Sequence, residues 1–287
     1  MAARLADAIP GGSDGVAIHD DVHMTTLGAV CLPQVPPEQL RNVAVAAESA
    51  GLDELWLWED CFWGGAVPAC SAALAWTTSL RVGIGVLPVP LRNVATAAMD
   101  TAMLHRLFPG RVTIGVGHGL QDWMRQTGAA AESPMTLLRE YLAALRALLA
   151  GGRLSVDGRY VHLDDVALEW PPSEVPPVLA GAIGPRTLRL SGEAADGTVL
   201  VAGTGPEEVR RARELIAEGQ AAAGRAGEHH RLVVYLDVAD HDAARTAAAV
   251  GGLAEAGADT VVLQPSPGVD PERFVRFAAE DVRPLLP

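Results

Sequence analysis

Eight times between residues 24 and 279, a short run rich in β-branched side chains gives way to a longer segment with helical spacing. The clearest run is Arg111 to Gly119, where Val112, Ile114 and Val116 are nearly continuous with apolar or small neighbours. A strand of that composition is buried on both faces, which requires helices on each side of a parallel sheet. The other strands are expected over 26–32, 54–58, 80–87, 177–180, 197–202, 231–238 and 260–263. Between them, Pro36-Pro37 opens a helix that Gly51 ends, and Ser133-Pro134 opens another that Gly151-Gly152 stops, as helix ends prefer. Eight strand-then-helix units with no break in composition predict an α/β fold, one TIM (β/α)8 barrel over residues 24–287. Residues 1–23 have no sustained period and are expected to form a flexible N-terminal extension. Asp157-Gly158 between alternating runs predicts a surface hairpin insertion within 153–171. The alternative is an open doubly wound sheet, but no Gly-x-Gly-x-x-Gly opens any helix.

A net charge of −13 gives nothing global to attract phosphate, so neither nucleic acid nor an anionic membrane is an expected partner. All 22 basic residues are arginine. The absence of lysine excludes Schiff-base chemistry and a Walker-type phosphate loop. Cys31, Cys61 and Cys70 form no Cys-x-x-Cys pair, which fits a reducing, cytoplasmic location. No leader and no run long enough for a membrane span is expected.

In such a barrel the loops after the strands converge on one face. They bring together Glu59 to Trp63, Gly85 to Asn93, Gly117 to Trp123, Gly181 to Arg186, and Gly203 to Gly205. Asp60 is a candidate proton relay or hydrogen-bond acceptor; the alternative is a salt bridge to Arg92 or Arg111 that fixes loops. His118, between two glycines, is a candidate general acid or substrate contact, with a near-neutral ordinary pKa; an orienting hydrogen bond is the alternative. Gly181, Ala182, Ile183, Gly184, Pro185 and Arg186 lead from a strand into a helix, and free N–H groups there suit a phosphate. Gly203-Thr204-Gly205 offers a second set of donors. Trp123 is a candidate roof of the same space; packing against the short helix is the alternative. No metal is expected: no His-x-His or His-x-x-x-His lies at a strand end, and His19, Asp20, Asp21 and His23 read as a solvated tail. The other histidines, His230 included, read as helix or surface residues. No Gly-x-Ser-x-Gly supports serine hydrolysis.

Four spaced motifs carry a family resemblance. They are Ala46-Ala-Glu48-Ser-Ala-Gly51-Leu-Asp53-Glu-Leu-Trp56; Thr78-Ser-Leu-Arg-Val-Gly83-Ile-Gly85-Val with Arg92-Asn93; Pro109 to Gly119; and Pro177 to Pro185 with Ala195-Asp196-Gly197. From about Met24 to Gly205 the chain resembles the luciferase-like monooxygenase family of F420- or FMN-dependent oxidoreductases. The spacing of Gly184-Pro185 from Asp196-Gly197 is similar to that of the F420-dependent branch. The resemblance implies a TIM barrel that moves a hydride between F420 and a small organic substrate. It places Asp60 near the cofactor ring, Gly85 and Val86 behind it at a bulge with a non-proline cis peptide, and Ala182, Ile183 and Gly184 at the phosphate. Val201, Ala202 and Gly203 lie beside that seat, and Cys61 and Trp63 line the substrate pocket. An F420 tail would call on Arg186, Arg92 or another rim arginine. Cys61 stands where sugar-phosphate dehydrogenases of that branch have histidine, and Thr204 where they have lysine, so a sugar phosphate is not expected. Two alternatives are an FMN-dependent monooxygenase served by a flavin reductase, and a non-catalytic barrel acting as a binding protein. Relatives of this kind imply a homodimer.

Overall fold

The computed structural model describes residues 25–286. In chain order the elements are β1 (Thr26–Cys31), α1 (Leu40–Ala50), β2 (Glu54–Leu57), α2 (Ala66–Trp76), β3 (Arg81–Pro88), α3 (Val94–Leu107), β4 (Val112–Gly117), α4 (Gln121–Gln126) and α5 (Pro134–Leu149). There follow β5 (Leu154–Asp157), β6 (His162–Val166), β7 (Val178–Gly181), α6 (Pro185–Ala194), β8 (Gly197–Leu200), α7 (Pro206–Ala222), β9 (Arg231–Val238), α8 (Ala243–Glu255), β10 (Thr260–Pro265) and α9 (Pro271–Arg276). Eight parallel strands close in the order β1-β10-β9-β8-β7-β4-β3-β2, the TIM barrel that the alternating pattern implies. The expected extension over 1–23, with His19, Asp20, Asp21 and His23, lies outside the described residues. No helix among those described is long and apolar enough to cross a membrane.

The interior of the barrel is filled by Val30, Leu32, Trp56, Leu179, Val199, Val233, Tyr235 and Val262. Trp56 is the largest fully buried side chain, and glycine surrounds it. A Cβ on Gly83 would stand 2.5 Å from the indole, and one on Gly28 3.0 Å from it. Below it, at the amino ends of the strands, Arg231 donates from Nη2 to both Glu54 oxygens at 2.7 and 2.8 Å and to Thr260 Oγ1 at 2.9 Å. Its Nη1 donates to Thr113 at 3.1 Å, and Trp56 Nε1 donates to Glu54 at 3.0 Å. The barrel is thus plugged by an ion pair at the amino ends of its strands, where Glu54, Thr113, Arg231 and Thr260 also line an outer cavity of about 720 Å³.

The hairpin of β5 and β6 forms, with a wider turn than Asp-Gly alone predicts. Asp157 pairs with His162, and Gly158 N–H closes on the Val161 carbonyl at 2.9 Å. The reason is a tertiary contact. Glu140 of α5 accepts the N–H groups of Arg159, Tyr160 and Val161 at 2.9, 2.8 and 3.0 Å. A side chain on Gly158 would run into that carboxylate. Tyr160 Oη in turn accepts Ser133 N–H at 2.7 Å, at the start of α5.

His230 is buried, contrary to the surface reading. Its Nε2 lies 2.8 Å from Thr198 Oγ1, which lies 2.6 Å from Ser191 Oγ. Burial, aided by Arg213 and Arg225, pushes its pKa down to about 4; burial alone does the same for His105. Below an ordinary pKa near 6.5 the unfolded chain takes up protons that these rings refuse, so stability is complete above that pH and falls as pH drops toward 4. The loss is expected to be at most about 1.4 kcal/mol per pH unit for each ring. Melting curves between neutral pH and the onset of acid unfolding check it, and His230→Gln should flatten the slope.

Candidate active site

At the carboxyl ends of the strands lies a cavity of about 550 Å³, lined among others by Trp58, Asp60, Val86, His118, Trp123, Ile183, Gly184, Ala202, Tyr235 and Gln264. Its floor comes from β3. The register against β4 slips between Ile84 and Leu87, and the Gly85–Val86 peptide is cis. Val86 is thereby inserted among three glycines. A Cβ on Gly117 would meet it at 2.8 Å, on Gly115 at 3.0 Å and on Gly181 at 3.2 Å. These glycines therefore make room for a valine.

Of the adjacent acids after β2, it is Glu59 that is consumed by an ion pair. Arg92 grips both its oxygens, and Glu59 also accepts Ala66 N–H at 2.9 Å, holding the start of α2. Arg111 is occupied with Thr77 and Leu80. Asp60 makes no ion pair among the described residues and lines the cavity. Burial raises its pKa above the usual carboxylate range. His118 lies across the same cavity, its Nε2 3.4 Å from Thr187 Oγ1. Burial lowers its pKa, and the Pro134 carbonyl opposes this in part without reaching hydrogen-bond geometry at Nδ1. The net shift favours the neutral ring. Among the described residues, four buried side-chain polar atoms lack a partner. Two of them, Trp58 Nε1 and His118 Nδ1, belong to residues of this cavity.

The anion donors divide unequally. Ala182 N–H is spent on the Val199 carbonyl at 3.1 Å, whereas Ile183 and Gly184 N–H find no acceptor among the described residues. They stand at the start of α6, whose dipole favours negative charge. A Cβ on Gly184 would meet nothing within 4 Å, so the space before it is open. In the second donor set Gly205 N–H is already given to Glu208 at 3.1 Å, a carboxylate whose charge opposes an anion there. Pro185, Arg186 and Gly203 do not line the cavity, while Val201 and Ala202 do. Arg186 is exposed, and Arg92 is paired with Glu59.

Two expected pocket residues lie elsewhere. Cys61 is buried outside the cavity lining, and burial, with Asp60 and Glu59 beside it, raises its thiol pKa. Trp63 turns to a neighbouring chamber. Missed in the sequence were Trp58, Thr187, Tyr235 and Gln264. Gln264 carried a signal, a polar side chain closing the run Val261-Val262-Leu263 at a strand's carboxyl end.

Residues 18–265 match the profile of the luciferase-like monooxygenase family. The chain belongs to that family. Among its luciferase-like relatives, it is 32% identical over 251 residues to a 5,10-methylenetetrahydromethanopterin reductase of Methanolobus tindarius, covering 86% of this chain and 76% of the other. It is 31% identical over 266 residues to an F420-dependent glucose-6-phosphate dehydrogenase of Beutenbergia cavernae, covering 85% and 76%. A solved F420-dependent secondary alcohol dehydrogenase in complex with an F420-acetone adduct superposes with a TM-score of 0.82 at 20% identity, over 92% of this chain and 99% of that one. Within the luciferase-like barrel, no cluster of metal-ligating side chains occurs among the described residues.

Proposed function

We propose that the chain is a cytoplasmic F420-dependent oxidoreductase acting on a small organic substrate. The reading rests most on one observation: a half-buried acid with a raised pKa and a neutral imidazole share a cleft that ends at an open helix N-terminus. The open space before Gly184 fits a ligand's phosphate. Bound there, F420 would supply the hydride; the protein supplies placement and electrostatics. Val86 forms the floor, Ile183 and Gly184 N–H hold the anion, and Asp60 keeps a hydrogen-bonding carboxyl near the reacting end. His118, its neutral form favoured, can accept or hand over a proton at the substrate.

The test is a titration with F420 and with FMN, read by fluorescence quenching and thermal shift. Preference for F420 by about tenfold or more, roughly 1.4 kcal/mol, is expected. Tighter FMN binding overturns the reading in favour of a monooxygenase with a reductase partner, and binding of neither leaves a non-catalytic barrel. Sedimentation of the same sample tests the expected homodimer. His118→Ala is expected to lower kcat by roughly 10²-fold or more while the cofactor Kd moves less than about twofold; equal loss of both would assign the ring a structural role.

A further inference from the structure

Beside the cofactor cleft lies a second chamber, of about 580 Å³, between the loop after β1 and the segment from Phe62 to Trp76. Trp58 lines both spaces, so one indole borders the chamber on one side and the cleft on the other. Among the described residues, the lining of this chamber contains no aspartate, glutamate, arginine or histidine. In a chain that is 20% charged, a concave surface with no charge of its own offers an ionic ligand no partner and favours an uncharged one.

What lines the chamber is aromatic and stiff. Four of the chain's ten tryptophan and phenylalanine side chains face it, Trp58, Phe62, Trp63 and Trp76. Phe62 and Trp63 are 70% and 58% exposed. Each exposed ring forgoes roughly 1.5–3 kcal/mol of burial. Phe62 also sits in the left-handed region, at φ 74°, a conformation costing a bulky residue on the order of 1–3 kcal/mol and found where a site requires it. Pro33, Pro36, Pro37 and Pro68 form much of the remaining wall, and fixed φ angles keep such a wall open without a ligand. A chamber of this volume suits a small molecule; a second protein copy needs a broad face of roughly 800 Å².

We propose that this chamber is a substrate subsite that takes an uncharged aromatic or alicyclic arm, with the reacting end of the substrate projecting past Trp58 into the cleft of Asp60 and His118. The inference rests on the oxidoreductase reading for what happens at the far end, but the chamber's own chemistry stands apart from it. The substrate class is then an apolar, uncharged molecule with two ends, one to pack and one to react.

The test uses the full-length protein and the uncharged naphthyl ketone prodan, followed by its blue shift and by quenching of tryptophan emission. One saturable site is expected. Ala72→Trp, which fills the chamber, and Trp63→Ala, which removes a wall, should each raise the prodan Kd by about tenfold or more, equivalent to roughly 1.4 kcal/mol. F420 affinity in the same variants should move less than about twofold. Failure of F420 to bind would sink the cofactor reading and leave the prodan result intact. Unchanged prodan affinity in both folded variants overturns the subsite. So does a dimer that Trp76→Glu dissociates with prodan excluded, because a second copy would then be the occupant.

Discussion

Replacing Gly184 with aspartate is expected to weaken F420 binding by about a hundredfold or more, roughly 2.7 kcal/mol, while the apo-protein melts no lower than the parent. The two effects have opposite signs for a physical reason. Gly184 is the N-cap of α6, with extended backbone and φ −87°, and its Cβ position is open. Aspartate is a favoured N-cap and its charge suits a helix N-terminus, so the empty protein gains. A bound phosphate would meet that carboxylate at close range, where like charges about 4 Å apart repel by roughly 4 kcal/mol at an effective dielectric constant near 20. Titration of both proteins with F420, beside their melting curves, makes the check. Undiminished affinity would move the anion seat away from α6.

Arg231→Leu is expected to cost about 3–5 kcal/mol of stability, because it strands Glu54. That carboxylate is buried, with 4% of its side chain exposed. Its other cationic neighbour, Arg81, stands at 3.4 Å and is half exposed, so compensation is partial. In a chain of this size each kcal/mol is worth roughly 2–4 °C, and a fall in Tm of about 10 °C is the expected reading. Adding Glu54→Gln should return part of it, since the amide oxygen still accepts from Trp56 Nε1 and no bare charge remains. A single variant that melts within about 2 °C of the parent would show that the plug is not a stabilising element.

The barrel was legible because each of its parts is a local signal. β-branched runs of strand length, proline at helix starts and glycine at their ends survive any tertiary arrangement, and β9 has the bounds expected from the residues alone. The failures sit where a distant partner decides. Nothing local explains Gly115 and Gly117: their neighbour is Val86, brought in by a slip of register on another strand. Alternation along a strand predicts one inward acid from Glu59 and Asp60, yet β2 ends at Leu57 and a loop lets both reach the cleft. Which of them is spent on Arg92 is a fact of packing. Glu48 shows the same limit from the other side. It stands in a recognised motif, and the structure supplies its purpose: one carboxylate oxygen accepts the N–H groups of Thr78, Ser79 and Leu80. Burial alone would raise its pKa, and those donors hold it down to about 2.

The hairpin stands outside the barrel and supplies no lining residue of the cleft. Its tip nevertheless ends one residue from it, since Tyr160 holds Ser133 and the next residue, Pro134, faces His118 across the wall. A ribbon one residue longer or shorter would pull on that wall from outside. Two chains with identical cleft residues can therefore admit different substrates, and the difference would be written in an outlying turn.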